Sequence, residues 1–166
     1  MIFDALWTNF FNKQHLNIRD YLKKVPVFND INDRDLKRIE RYVIRRKFLT
    51  NEYIFRETEP GAGMYIIISG EVKIQLESGK QVKELACLKE GDFFGEMALL
   101  DESPRSASAL AVSDTVELIS FFRGDLLKVI EEYPNIACKI LWNIGSVISE
   151  RLRKNNELLH MCQKNN

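Results

Sequence analysis

The sequence predicts a mainly β protein with flanking helices, built as a jelly roll (a double-stranded β-helix) with N-terminal helices and a long C-terminal helix. Three observations indicate this fold class. Apolar residues recur at helical spacing before residue 48, the period changes to short β-like runs between 48 and 122, and helical spacing returns after Phe122. A chain of 166 residues is long enough for one such domain with helical extensions.

The first segment, residues 1–24, is predicted to form one or two amphipathic helices. Five large apolar side chains follow the helical period near its start: Phe3, Leu6, Trp7, Phe10 and Phe11. After Pro26, either Asn32 or Asp33 is expected to cap a second helix. The residues that this helix should carry inward are Leu36, Ile39 and Val43. Its other face is basic, but acidic residues between the cations favour a solvated face over a nucleic-acid contact.

The central segment, residues 25–133, contains the β-rich part of the chain. Clear turn sequences separate its apolar runs, among them Pro60-Gly61-Ala62-Gly63 and Glu90-Gly91-Asp92. The predicted strands cover 53–56, 64–69, 71–76, 82–88, 107–112 and 116–121. Two Greek-key-like sheets would fold these runs into an eight-stranded jelly roll.

The last segment, residues 134–166, is predicted to be one long helix. Pro134 suits the first turn of a helix, and Asp125 can cap a shorter helix before it. Spacings of three and four residues repeat along the long helix at Leu141, Ile144, Ile148, Arg151, Asn155 and Leu158. This heptad-like seam is too short for a coiled-coil assignment.

Charge and residue content argue against several classes of function. The 24 Lys and Arg residues equal the 24 Asp and Glu residues, so no global field attracts nucleic acid or an anionic membrane. Cys87, Cys138 and Cys162 form no C-x-x-C pair, which argues against a disulfide framework and a zinc site. With no apolar run of ~18 residues and no basic N-terminal start, the protein is expected in the cytoplasm.

Histidine content argues against a metal centre and against catalysis. A metal site inside the barrel would need histidines that converge there, whereas His15 and His160 both lie in the terminal segments. No nucleophile motif, phosphate-binding Walker-type loop or H-E-x-x-H sequence is present. We therefore predict neither a metal site nor an enzyme.

The one stretch with a chemically suggestive order lies between Phe93 and Ala109. Gly95 lets the backbone pass closely by a ligand, and the turn of helix expected at 97–100 would point free N–H groups toward it. The guanidinium of Arg105 suits phosphate oxygens, while the carboxylate of Glu96 can only accept hydrogen bonds and suits a sugar hydroxyl. Together with the small residues in this stretch, they describe a narrow pocket for a sugar phosphate.

Two runs in this stretch, F-G-E-M-A-L-L and P-R-S-A-S, resemble the phosphate-binding cassette of the cyclic nucleotide-binding domain family. This is the family of the bacterial catabolite activator protein and the protein kinase A regulatory subunits, and the resemblance covers about residues 22–160. It implies that Arg105 pairs with the cyclic phosphate and that Glu96 binds the ribose 2′-hydroxyl. The rest of the phosphate site is then expected at Gly95, Ala98, Ser106 and Ala107.

The resemblance leaves the base contact and the choice of ligand open. The family uses its last helix as a dimer contact and as a lid over the base, which implies base contacts from Arg151, Asn155 and Asn156. These side chains could instead set the register of a dimer or face water. Ser106 resembles the hydroxyl residue of cGMP-selective kinase domains, but the catabolite activator protein also has serine there, so we expect cAMP rather than cGMP.

These observations combine into one functional prediction and one alternative. We expect a stand-alone cyclic nucleotide sensor that has no cofactor besides its ligand and acts by closure of its C-terminal helix. A homodimer through this helix is the expected partner, with an unknown protein as another. Because the sequence ends at Asn166, no winged helix-turn-helix follows, and direct DNA binding is not expected. The alternative is an interaction or dimerisation module that keeps the fold without binding a nucleotide.

Overall fold

The computed structural model describes residues 17–78 and 81–164. Phe3, Leu6, Trp7, Phe10 and Phe11 of the first predicted segment lie outside this range, and the described part of that segment contains α1 (Ile18–Leu22). The other α-helices are α2 (Asp33–Ile39), α3 (Arg123–Glu132) and α4 (Pro134–Lys164). Single 3₁₀ turns cover Pro26–Phe28, Glu40–Tyr42 and Glu96–Leu99.

Eight antiparallel strands form two four-stranded sheets. The strands are β1 (Val43–Leu49), β2 (Tyr53–Phe55), β3 (Gly63–Ser69), β4 (Val72–Ser78), β5 (Gln81–Leu88), β6 (Phe93–Phe94), β7 (Ser108–Ala111) and β8 (Thr115–Phe122). The order is β1-β8-β3-β6 in the first sheet and β2-β7-β4-β5 in the second. The mainly β fold with flanking helices that the sequence predicts is confirmed.

The first sheet is buried on both faces. Along β3, Tyr65 and Ile67 point into the apolar layer between the two sheets, whereas Met64, Ile66 and Ile68 pack against the helices on the other side. This alternation explains why β3 reads as an unbroken apolar run: each residue has an apolar neighbour on its own face. The helical side buries residues from every helix, among them Leu22, Leu36, Leu126 and Ile140.

The end of the second helix differs from the sequence-based prediction. Helix α2 ends at Ile39 and, after one 3₁₀ turn, Val43 begins β1, where it lies opposite Phe121 of β8. Asn32 caps the helix as expected, because its Oδ1 accepts a hydrogen bond from the Asp35 N–H at 2.9 Å. The prediction that Val43 lies in a helix was wrong. Its buried side chain suits the inner face of a helix as well as that of a strand, so burial alone does not distinguish the two. The pairing of β1 with β8 along its whole length favours the strand.

The long helix begins at Pro134, as predicted, and continues to Lys164. Its predicted seam is wrong in part, because Ile144 is fully buried against this domain and Arg151 reaches the stretch around Glu96. The preceding helix begins at Arg123, so Asp125 lies in its first turn rather than at its cap, and accepts a hydrogen bond from Lys128. Within 17–78 and 81–164, no helix is long and apolar enough to cross a bilayer.

Candidate functional site

A cavity of about 320 Å³ lies where the second sheet meets the stretch 93–107 and the long helix. A volume of this size is in the range of small-molecule sites. Its walls are mostly apolar, and its polar groups come from the 93–107 stretch and from α4. The lining residues are Phe55, Ile74, Ala86, Leu88, Phe93, Phe94, Gly95, Glu96, Met97, Ala98, Asp101, Ser103, Pro104, Arg105, Ser106, Ala107 and Arg151.

Gly95 makes the tight turn from β6 into the 3₁₀ turn that starts at Glu96. Its backbone has φ 75° and ψ 15°, a left-handed conformation that residues with a Cβ rarely adopt. A Cβ at this position would lie 2.8 Å from Nη1 of Arg105 and 3.1 Å from the carbonyl oxygen of Gly63. Glycine is therefore required both by the turn and by the close approach of the Arg105 side chain.

The guanidinium of Arg105 is buried without a carboxylate partner. The residue is 7% exposed, its Nη2 donates to Gly63 O at 2.8 Å and its Nη1 donates to Gly95 O at 3.2 Å. Its Nε is buried and has no hydrogen-bond partner in the part of the chain that the structure describes. No acidic side chain of that part forms an ion pair with Arg105. Arg105 therefore contributes a cation to the cavity wall, and its buried Nε–H lacks a partner among the described residues.

Burial lowers the pKa of the Arg105 guanidinium from its ordinary value, because leaving water penalises the charged form. Tyr65, Glu59 and Glu96 raise this pKa and so oppose the effect. Since an arginine side chain stays protonated in proteins, the consequence is a desolvated positive charge rather than a neutral group. Such a charge is costly unless an anion compensates it.

The loop between β2 and β3 holds the backbone around Arg105. The Arg105 N–H donates to Glu59 O at 2.8 Å, and the Thr58 N–H donates to Arg105 O at 2.9 Å. A Cβ on Gly61 would lie 2.9 Å from both Ala98 Cβ and Ser103 O. The sequence shows Pro60-Gly61-Ala62-Gly63 only as a turn, so the support that this loop gives to the site was missed.

Glu96 is the second buried charge of the site, and it is paired. The residue is 2% exposed, and its Oε1 accepts a 2.7 Å hydrogen bond from Nη1 of Arg151 on α4. Nη2 of Arg151 donates to Phe93 O at 3.2 Å, and the guanidinium lies 4.9 Å from the centre of the Phe93 ring. One arginine of the long helix thus contacts both the strand and the turn that precede the Arg105 loop.

The structure brings together most, but not all, of the residues that the sequence singled out. Gly95, Glu96, Ala98, Arg105, Ser106, Ala107 and Arg151 line the same cavity. The Ala98 N–H, expected to face a ligand, donates to Gly95 O at 3.2 Å. Asn155 and Asn156 are exposed and do not line the cavity.

Sequence reasoning missed Phe55 as a lining residue, because an aromatic residue in a three-residue strand gives no local signal of a binding site. No group of three potential metal ligands occurs among the residues that the structure describes. The charged groups that line the cavity are therefore Arg105, which has no ion pair among the described residues, the paired Glu96 and Arg151, and Asp101, which accepts hydrogen bonds from Ser103. The other lining side chains are mostly small or apolar. This set can bind an anion and a hydroxyl, side by side.

Known proteins share this chain's sequence and fold. A Thermus thermophilus protein described as a cyclic AMP receptor protein is 37% identical over 134 residues, which are 80% of this chain and 60% of that protein. The cGMP-dependent protein kinase egl-4 of Caenorhabditis briggsae is 31% identical over 126 residues, 75% of this chain and 17% of the kinase. The chain therefore spans less than two thirds of either relative.

A solved structure and a family model lead to the same conclusion. The structure of Thermus thermophilus catabolite activator protein aligns with a TM-score of 0.73 and 34% identity, over 84% of this chain and 63% of that chain. The model of the cyclic nucleotide-binding domain matches residues 45–133, which is more than half of the chain and includes Phe55, Glu96 and Arg105 but not Arg151. This chain therefore belongs to the cyclic nucleotide-binding domain family.

Proposed function

We propose that this chain is a cyclic nucleotide sensor and not an enzyme, and that Arg105 binds the cyclic phosphate of its ligand. The buried guanidinium of Arg105, with a free Nε and no carboxylate partner among the described residues, is the observation that carries the proposal. A cyclic nucleotide phosphate is a diester with a single negative charge, which one arginine can neutralise. Charge-assisted hydrogen bonds to such an anion are stronger than those between neutral groups.

The ribose lies beside Glu96 in this proposal. Its 2′-hydroxyl can donate to the Glu96 carboxylate, which accepts from Arg151 through Oε1 and retains further acceptor capacity. The small side chains of Ala98 and Ala107, with Ser106 between Arg105 and Ala107, leave room for the phosphate. The site therefore matches a sugar that carries its phosphate and its free hydroxyl at neighbouring positions.

The base is assigned to the apolar part of the cavity, under Arg151. Of the three residues proposed as base contacts, Arg151 lines the cavity, whereas Asn155 and Asn156 would reach a base only after movement of α4. We propose cAMP as the ligand and cGMP as the less favoured one. A relative described as a cyclic AMP receptor protein shares 37% of its aligned residues with this chain, against 31% for a cGMP-dependent kinase.

Signalling is proposed to be a population shift of the long helix. Ligand bound at Arg105 and Glu96 fixes the 93–107 stretch, and the Arg151–Glu96 ion pair transmits that order to α4. Conformers in which α4 lies over the cavity are then favoured. Output passes through a dimer or a partner protein, and direct DNA binding is not part of this proposal.

Two exposed free cysteines, Cys87 and Cys138, fit the reducing cytoplasm that the sequence predicts.

We also propose a homodimer through a stripe of α4, which we call the α4 stripe. It comprises Leu141, Gly145, Ile148, Leu152, Asn155 and Leu159, which alternate at spacings of four and three residues. All are exposed except Ile148, which is half-buried and also packs against the core of this domain. Two leucines of the α4 stripe are largely exposed to solvent: Leu152 is 59% exposed and Leu159 is 62% exposed. A single asparagine within an apolar seam fixes the register of paired helices, which gives Asn155 a role away from the base.

The first prediction is that cAMP stabilises the wild-type protein and not the Arg105→Ala variant. At 100 times the dissociation constant, ligand should add about 2.7 kcal/mol, or roughly 5 to 10 °C in a thermal unfolding experiment. Loss of the buried phosphate partner should cost about 2 to 5 kcal/mol of binding. The Arg105→Lys variant keeps the positive charge but removes Nε, and cAMP should stabilise it only weakly. This variant tests the prediction even if Arg105→Ala does not fold.

Arg56→Ala is the matched control, since Arg56 also lies against an aromatic ring, 3.5 Å from the centre of Tyr53, but outside the cavity. It should respond to cAMP like the wild type. 5′-AMP should shift no variant. If neither cAMP nor cGMP shifts the wild type, and the purified protein carries no nucleotide, the alternative of an interaction module replaces the sensor.

The second prediction concerns closure of the long helix. Saturating cAMP should slow hydrogen–deuterium exchange across residues 140–160 of the wild type, because the ligand favours the conformer in which α4 contacts the 93–107 stretch. Arg151→Ala should bind cAMP more weakly and, even when saturated, should lose most of this protection. Lys154→Ala removes an exposed ion pair with Glu150 on the same helix and should leave the protection from exchange unchanged. Exchange that ligand leaves unchanged in the wild type contradicts the closure mechanism.

The third prediction is that the α4 stripe holds a dimer. Sedimentation equilibrium should show a wild-type dimer, whereas Leu152→Asp should be monomeric, because a charge in the seam must be buried unpaired. Leu127→Asp is the control, as Leu127 is 45% exposed but lies on α3. A wild type that remains monomeric over the whole concentration series, or an unaffected Leu152→Asp, rules out this interface.

A further inference from the structure

The aromatic ring of Phe55 lies directly against the buried guanidinium of Arg105. Phe55 is the last residue of β2, and Cζ of Arg105 is 4.0 Å from the centre of its ring. The next ring, that of Tyr65, is 5.8 Å away. Both distances are within the range of cation–π attraction, but the contact with Phe55 is much the closer.

A buried arginine that must bind an anion needs its charge stabilised while the anion is absent. A carboxylate beside the guanidinium would stabilise its charge in the empty site, but the same carboxylate would repel the phosphate and compete for the donors. An aromatic ring attracts the cation through its quadrupole, carries no net charge and leaves the N–H groups free. Phe55 therefore stabilises the charge without neutralising it.

Two carbonyl oxygens and the Phe55 ring contact the guanidinium of Arg105. Gly63 O and Gly95 O accept from Nη2 and Nη1, the Phe55 ring covers one face of the guanidinium, and Nε remains without a partner among the described residues. All of these groups are uncharged. The guanidinium is thus oriented from several sides while its charge stays available.

The position of the Phe55 ring is itself fixed by other rings. Its centre is 5.7 Å from that of Tyr65 and 5.8 Å from that of Phe94, and these two rings stack at 5.4 Å. A ring held in this way can hold the arginine in turn.

We propose that Phe55 is a positioning residue for Arg105, whose ring face holds the guanidinium in its charged, ligand-ready orientation. This inference rests on the proposed function, because it concerns the affinity of the Arg105 site for a cyclic phosphate. It assigns a role in ligand binding to a residue that need not touch the phosphate.

The test replaces Phe55 with phenylalanines that carry one, two or three fluorine atoms on the ring. Fluorination withdraws electron density from the ring face and weakens cation–π attraction stepwise, with little change in shape. The dissociation constant for cAMP should rise with each fluorine, by between about twofold and thirtyfold over the series, the range that cation–π strengths span. A merely structural role of the ring predicts no such graded change.

The same fluorinated series at Phe48 is the matched control. Phe48 is buried in the same apolar layer, has its own arginine at 5.2 Å and does not line the cavity, so its series should leave the affinity unchanged. A flat Phe55 series beside a wild type that binds cAMP overturns the role of Phe55 and leaves the sensor intact. A wild type that binds neither cAMP nor cGMP overturns the sensor, and the role of Phe55 with it.

Discussion

The structure of the site depends on one interaction, the contact of the buried Arg105 guanidinium with uncharged groups. Backbone carbonyls of Gly63 and Gly95 and the ring of Phe55 hold it, and no carboxylate within the described residues pairs with it. A desolvated cation of this kind is an unfavourable feature of a fold that has no anion to receive. Its cost is understandable if the site exists to bind a phosphate.

The rest of the fold supplies the precision that this interaction needs. The β2–β3 loop fixes the Arg105 backbone on both sides, and the first sheet, packed on both faces, gives that loop a rigid base. On the opposite side of the cavity, Arg151 joins the long helix to Glu96. The proposed phosphate and ribose positions are therefore joined to the long helix by one connected set of contacts, through which we propose that order at the cavity reaches a surface of α4.

Much of this arrangement could be predicted from the sequence, because the signals are local. Gly95, Glu96 and Arg105 stand in one recognisable run, and the alternating periods indicate the sheets. The strand β1 was missed because a buried Val43 is expected both at the end of an amphipathic helix and in a half-buried strand. Phe55, Gly61 and Gly63 were missed as site residues because their contacts with Arg105 and Ala98 join segments more than 30 residues apart, which no local pattern shows.

The central proposal is that Arg105 receives the phosphate and that its Nε–H, which has no partner among the described residues, becomes one of the donors. Arginine-selective ¹⁵N NMR tests this proposal most directly. The Arg105→Lys variant identifies the resonance by its absence. On saturation with cAMP, this Nε–H signal should move downfield and exchange more slowly with water, as a charge-assisted hydrogen bond forms. A signal that does not move at saturation would contradict the account, because the ligand would then be bound without the group around which the site is built.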